Sequence, residues 1–584
     1  MLIRTLLLFA GLVAVGTAAG QEPLKIARRF TVDKPGWSYE EKPRPDDPVL
    51  PLTPEEAARL EGGVTEAACA ALLEGYLDRI EETWTRLHTP PPELIPWLRK
   101  NPDLRRAFWQ ALNPHYDNIS GAMRLLDQLR SEDGGRAAAA FHVAVALSVV
   151  WDDPDAVHGS RYYCVGGVEA AQYPPLMEPL QVFRFFTSPE NQKLFVFRPD
   201  KLVWPILVHL VDFDVTTEEA SWAAAKMFRY ARNPEPLYAL VAYDYDKRDK
   251  GSKLGARPYT LPNLLEYGGI CGDQAHFCTR VAKCFGIPAM KADGLGRYGD
   301  DRHAFACYFV CRDGRPMLEF AGRYYYDFYY SGEVFDPHTR TFELDRTVAM
   351  MLDGASLDYG KYAQSLTLAR IARRLVAENP RLSCKLAEQA LVWNYFCTPA
   401  WKLLILHLDR GTLSPEAAAS WMNTMVKCLG NHPDLSMECL SSFLRTIPEG
   451  ETRKRQEFYG KVMKLYAKRP DLQVELRQRQ CGELLKAGQE DEAMRLLLAT
   501  LAEHGPEGRL LVPLIEETVP LVQRKKAEKT ALPFLRRMVE KFPQARGQMI
   551  TLTFQNVVRI IGPIYDAAGE KQEADLLRKR VGLK

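Results

Sequence analysis

The sequence predicts a mixed α+β fold that is predominantly helical. Most of the 584 residues fall into apolar patterns of helical period, cut by Pro and Gly clusters. Between about 255 and 345 the texture changes: Gly and aromatic residues rise and short β-like runs appear, Ala304–Val310 above all. From about 360 onward the helical period returns, and prolines 433, 470, 506 and 543 are spaced 37, 36 and 37 residues apart.

Taken in chain order, residues 1–20 read as a secretory signal peptide. Arg4 precedes the apolar stretch Leu6–Val15, small residues Gly16–Gly20 follow, and polar Gln21-Glu22-Pro23 closes the series. It is too short for a membrane span, and it places the mature chain outside the cytoplasm, periplasmic or secreted. Residues 21–50 are charged and dotted with Pro35, Pro43, Pro45 and Pro48, which predicts an extended arm. Thr53-Pro54-Glu55-Glu56 opens the first helix, with threonine as N-cap, proline at the first position and glutamate at the third. Residues 51–200 form an N-terminal helical domain. Its apolar run Ala137–Trp151 contains His142 and Ser148 and is expected as a buried helix. Within 201–345, the expected α+β core, Thr216-x-x-Glu219 starts a helix carrying Trp222, Met227 and Tyr230 that ends before Pro234. Ala304–Val310, the turn Arg312-Asp313-Gly314 and a β-rich run through Tyr324-Tyr325-Tyr326 predict a hairpin. Residues 346–584 are expected as an array of helical hairpins with one proline-punctuated turn per unit. The array resembles tetratricopeptide repeats, although most signature positions of that repeat are missing.

Composition excludes several functions. Lys+Arg 76 against Asp+Glu 74 leaves a formal charge of +2, which argues against a dedicated nucleic-acid binder. The basic cluster Arg524, Lys525, Lys526, Lys529 reads as a solvated helix face. Twelve cysteines without a C-x-x-C pair do not make a disulfide scaffold or a zinc ribbon. The eleven histidines are scattered, so no metal site is expected. Gly294-Leu-Gly-Arg-Tyr-Gly299 matches the dinucleotide-binding string but precedes a strand and lacks a βαβ frame, so it reads as a loop and no cofactor is expected.

The chemistry concentrates in Gly268-Gly269-Ile270-Cys271-Gly272-Asp273-Gln274. Two glycines permit a tight turn, and Phe277/Cys278, Val281/Ala282 and Phe285 then repeat at helical spacing until Gly286 and Pro288. Cys271 is thereby placed at a helix N-terminus, where unpaired N–H groups and the helix dipole favour a thiolate and can bind an oxyanion. A cysteine nucleophile needs a base, and the base an orienting group. His303 stands just before the apolar strand 304–310, and the next strand returns Asp327 to about the same end. With the hairpin centred on Asp313-Gly314, His303 lies opposite residue 324, Asp327 three residues beyond that point and Asp336 twelve beyond. His276, across the helix from Cys271, reads as structural.

GGICGDQAHF, FGIPA, RHAF and an aromatic strand with Asp resemble the transglutaminase-like core of the papain-type cysteine enzymes. That pattern has Gly-x-Cys opening a helix, Gly-Ile-Pro closing it, His-Ala-aromatic opening a strand and Asp on the next. The resemblance covers about residues 215–345 and implies Cys271 as nucleophile, His303 as base and Asp327 as orienter. Phe305 stands where the usual Trp follows His-Ala, and Gly322-Arg323-Tyr-Tyr-Tyr-Asp327 replaces the usual Trp-x-x-x-Asp. With Asp336-Pro337 close behind, the third member stays open between Asp327 and Asp336. Two functions follow as expectations. One is a secreted thiol enzyme that forms an acyl-enzyme on a polypeptide or peptide-like amide, with hydrolysis favoured over transglutamination. The other is a non-catalytic protein-binding scaffold. In either, the helical flanks predict a protein partner on the C-terminal repeats, with no nucleic acid and no integral span after signal removal.

Overall fold

The computed structural model describes residues 52–153, 170–247, 251–295, 302–323, 332–448, 450–542, 545–546, 549–550 and 552–583. The segment 1–20 expected as a signal peptide, the segment 21–50 expected as an arm, Cys164, residues 296–299, the aromatic run 324–330 with Asp327, and Pro543 lie outside them, while Gly294 and Leu295, expected in a loop, end a strand. Helix dominates, and among the described residues strand is confined to one five-stranded antiparallel sheet and one two-stranded pair.

Thr53 Oγ1 accepts from the Glu56 N–H at 3.2 Å while Glu56 Oε2 accepts from the Thr53 N–H at 2.9 Å, closing a reciprocal cap on the helix Pro54–Glu61. The same box forms at Thr216 and Glu219 ahead of Thr217–Lys226. The second Glu219 oxygen, Oε1, accepts from the Leu261 N–H at 2.8 Å, tying this helix to Leu261–Tyr267. The apolar run expected as one buried helix is broken instead. Helices Ile119–Ala139 and Phe141–Val150 meet at Ala140, whose φ of −109° and ψ of 42° leave the helical region. Side chains from Val143 to Val150 are all buried.

The five strands are β1 (Ala289–Leu295), β2 (Arg302–Arg312), β3 (Arg315–Ala321), β4 (Gly332–Asp336) and β5 (Thr341–Leu344). They lie in the order β3-β2-β1-β4-β5. Asp313 and Gly314 both take positive φ, 51° and 74°, the two-residue turn that matches strand twist, and Arg312 pairs with Arg315 and Ala306 with Ala321. β2 begins at Arg302, so His303 lies inside the strand rather than ahead of it. β3 ends at Ala321, where Gly322 at φ +76° turns the chain out of the ladder.

Alternation along β2 sorts two faces. Ala304, Ala306 and Tyr308 share a core with Phe277, Cys278 and Val281 of the helix Cys271–Cys284. Phe305, Cys307 and Phe309 share another with Val348, Leu352 and Ala355 of the helix Asp345–Leu357.

After Tyr359 the chain is almost entirely helical. First helices of successive pairs begin at Pro415, Thr452, Glu490 and Glu528, a near-even spacing. Pro433 and Pro470 occupy the first position of the second helix in their pairs rather than a turn between units, because a proline N–H would be unbonded there anyway. Apart from the core on the Phe305 face of the sheet, buried apolar residues form one core from Leu60 to Leu476 and another from Val474 to Val581. No helix among the described residues is long and apolar enough to cross a membrane.

Candidate functional site

Cys271 is the first residue of the helix Cys271–Cys284, and its position is fixed from the preceding turn. Gly268 has φ +77°, and a Cβ there would lie 2.5 Å from the Ala242 carbonyl oxygen, so the approach demands glycine. The Gly269 N–H donates to Ala242 O at 2.9 Å and Gly269 O accepts from the Asp244 N–H at 2.8 Å, a parallel bridge to Tyr243. Asp273 then pins the start of the helix. Its Oδ2 accepts from the Ile270 N–H at 2.7 Å and pairs with Lys247 Nζ at 2.7 Å, while Oδ1 accepts from the Tyr259 hydroxyl at 2.9 Å. Gln274 Nε2 donates to Val241 O at 2.7 Å. A shallow crevice opens beside this network, lined by Gln172, Lys247, Leu254, Tyr259, Gly268 and Asp273.

Burial separates the thiols. Cys271 is half-buried and Cys311 exposed, whereas Cys278, Cys284 and Cys307 are buried, and that burial pushes each of the three well above the ordinary thiol range. His276 packs against Tyr259 with ring centroids 5.0 Å apart.

His303 pairs across the sheet with Gly294 of β1, and its ring lies near-parallel to that of Phe305. Nε2 is 2.7 Å from the Gly322 carbonyl oxygen. A carbonyl can only accept, so Nε2 is the donor in this contact. Tyr238 connects this ring to the cysteine helix. Its hydroxyl donates to Ala304 O at 2.8 Å and stands 3.5 Å from both Cys271 O and His303 Nε2. Gly322 lies directly on the phenol, where an added Cβ would be 2.3 Å from ring carbons.

Of the predicted residues, the structure therefore brings Cys271 and His303 to one corner through Tyr238. Asp327 lies outside the described residues. Asp336 is elsewhere: its Oδ1 accepts from the His338 N–H at 2.8 Å and the Thr339 N–H at 3.3 Å, capping the turn between β4 and β5. Gly332 shares the cross-sheet row of Gly294 and His303, and Asp336 is four residues further along β4, about 13 Å at strand rise. Sequence reasoning missed Tyr238, the Gly322 carbonyl and the Lys247–Asp273–Tyr259 network. Asp273 at the third helical position was a readable cap signal, whereas Tyr238 precedes Cys271 by 33 residues and carries none. No group of three or more His, Cys, Asp or Glu among the described residues is arranged to hold a metal ion.

No family model matches the chain, and no curated protein matches it. Among solved structures, BtubC (BKLC) from P. vanneervenii is similar over 38% of this chain and 89% of that one, at 18% identity and a TM-score of 0.20. A likeness that low carries no argument about fold or chemistry.

Proposed function

We propose that this chain is a thiol-dependent enzyme acting on peptide or peptide-like amides through an acyl-enzyme, built on a transglutaminase-like core. One observation carries the reading. The Tyr238 hydroxyl stands between the carbonyl of the helix-opening Cys271 and the His303 ring, whose Nε2 donates to Gly322 O.

The Cys271 thiol passes its proton to the His303 imidazole, and the sulfur attacks the amide carbonyl carbon. Unpaired N–H groups at the start of the helix receive the oxyanion. The imidazolium returns the proton to the departing amine as the C–N bond breaks, leaving a thioester on Cys271. Water, deprotonated by His303, then attacks the thioester, and the imidazolium protonates the departing thiolate, releasing the acid and restoring the thiol. An amine in place of water gives a cross-link, but water is always available, so hydrolysis dominates. Asp327 is the orienting carboxylate by resemblance. Arg4 ahead of the apolar stretch Leu6–Val15 supports a leader that carries this activity outside the cytoplasm, and the helical hairpins after Tyr359 support a protein partner.

A peptidyl vinyl sulfone probe tests the reading. Labelling should fall on Cys271, vanish in Cys271→Ser and slow by about 10²- to 10⁴-fold in His303→Ala, the usual contribution of a general base. Labelling that ignores His303→Ala would mark an inert thiol and turn the reading toward a binding scaffold.

A further inference from the structure

The segment bridged to Gly269 carries two tyrosines that the proposed reaction does not use. Asp244 faces inward: its carboxylate accepts from the Lys253 N–H at 3.2 Å and pairs with Lys253 Nζ at 3.4 Å. Tyr243, in the bridge, and Tyr245, in the turn that follows it, are turned to solvent instead, at 38% and 84% exposure, with ring centroids 4.8 Å apart and planes at 52°. Isolated exposed apolar side chains are ordinary on any protein. Among the described residues, however, no other two exposed large apolar side chains lie within two residues of each other, and Tyr245 is the most exposed of them all.

The position of the pair matters as much as its exposure. The backbone bridge fixes Tyr243 beside Gly269, about 5 Å away across the bridge, and Gly269 stands two residues before Cys271, at most about 8 Å from it along the chain. Two tilted phenols present a face and an edge to an incoming ring, the offset geometry that aromatic pairs favour, at little cost in side-chain freedom. We propose that Tyr243 and Tyr245 form a substrate subsite that receives an aromatic side chain of an extended polypeptide, within about three residues of the scissile amide at strand rise. The inference rests on Cys271 being the nucleophile, and its occupant is the same polypeptide that reaches Cys271.

The test uses the full chain and six-residue Gly/Ser peptides in which a single Phe is scanned through every position. Each peptide is asked to protect Cys271 from iodoacetamide, with labelling read by mass spectrometry. One Phe position should protect at a concentration about three- to tenfold below that of the Phe-free peptide, the range a favourable aromatic pair supplies. Tyr245→Ala should erase that advantage and Tyr245→Phe should keep it, since the ring and not the hydroxyl makes the contact. At 84% exposure neither change threatens the fold. Phe that helps nowhere, or whose advantage survives Tyr245→Ala, would overturn the subsite and leave the nucleophile standing. Protection by a soluble chito-oligosaccharide that is lost in Tyr245→Ala, without any Phe preference, would replace the polypeptide with a glycan and overturn it too. Failure of iodoacetamide to label wild-type Cys271 at all would sink the nucleophile and the subsite together.

Discussion

At Gly322 one backbone angle, φ +76°, aims a carbonyl at His303 Nε2 and lets the chain lie on the Tyr238 ring. Alanine there would take up an unfavourable φ and set a Cβ 2.3 Å from a buried phenol. Gly322→Ala should therefore cost about 1–3 kcal/mol in urea unfolding, with slower probe labelling of Cys271 in the folded fraction. An unchanged midpoint would show that Tyr238 yields freely. The two aspartates divide in the same terms. Loss of an orienting carboxylate can cost about 10⁴ in turnover with the fold intact, and that is the outcome expected for Asp327→Asn. Asp336→Asn keeps an Oδ1 that can still accept from the His338 and Thr339 N–H groups, so turnover and stability should both stay near wild type. Turnover that survives Asp327→Asn would leave the Gly322 carbonyl as the group that orients His303. Cys271 and His303 were legible in the sequence because local spacing puts each at the end of an element. Tyr238 was not, since its role depends on a helix 33 residues away folding back onto it.

Among the elements, the β4–β5 hairpin is the one whose attachment most depends on charge. Its turn reaches the N-terminal helices: His338 Nε2 is 3.1 Å from Asp117 Oδ1, Arg340 Nη1 donates to Tyr116 O at 2.9 Å, and Arg340 pairs with Asp152. Burial works to lower the His338 pKa, but Asp117, with Asp336 and Asp152 behind it, outweighs burial and leaves it raised. Burial also raises Asp152 to about 6 against the pull of Arg340. For His338 the native state holds the proton more tightly than the unfolded chain. Its contribution is thus fully present below the unfolded value of about 6.5 and is lost as pH rises through the folded value. Wild-type protein should lose more stability between pH 6 and pH 8 than His338→Asn does, read as the shift in urea midpoint. Equal losses would mean that the Asp117 contact does not titrate. The caps at Thr53 and Thr216 and the turn at Asp313-Gly314 could be read from sequence because a few adjacent residues specify them. The break at Ala140 and the docking of this hairpin could not, since both are set by surfaces that meet only after folding.

Across the whole molecule, the texture change between about 255 and 345 brackets the five-stranded sheet, while the apolar core ignores it. Buried residues from Leu60 to Leu476 are continuous. Arg370 Nη1 donates to Leu112 O at 2.7 Å and Lys361 pairs with Glu66, so helices after Tyr359 also join the N-terminal ones through polar contacts. Composition records which element forms but not which faces meet, and so the predominance of helix was legible while the extent of each core was not. The second core, Val474 to Val581, shares with the first only the helix Pro470–Lys486, whose Leu472 and Leu476 belong to one and Val474 and Cys481 to the other. Two consequences follow for stability. A chain ending near residue 355 would strip Leu368, Ile371, Leu386 and Leu404 from the core that also packs the cysteine helix, so it should be insoluble. A chain ending at Ala487 keeps the shared helix and should stay soluble with Cys271 still reactive toward the probe. In the full chain, Leu404→Ala and Leu535→Ala each empty a fully packed position and should each cost about 2–5 kcal/mol. Calorimetry should show two transitions, with Leu404→Ala lowering the one that abolishes Cys271 labelling and Leu535→Ala lowering the other alone. A single transition moved by both substitutions would mean that the shared helix couples the two cores into one cooperative unit, and that the C-terminal helices stabilise the site as directly as the sheet does.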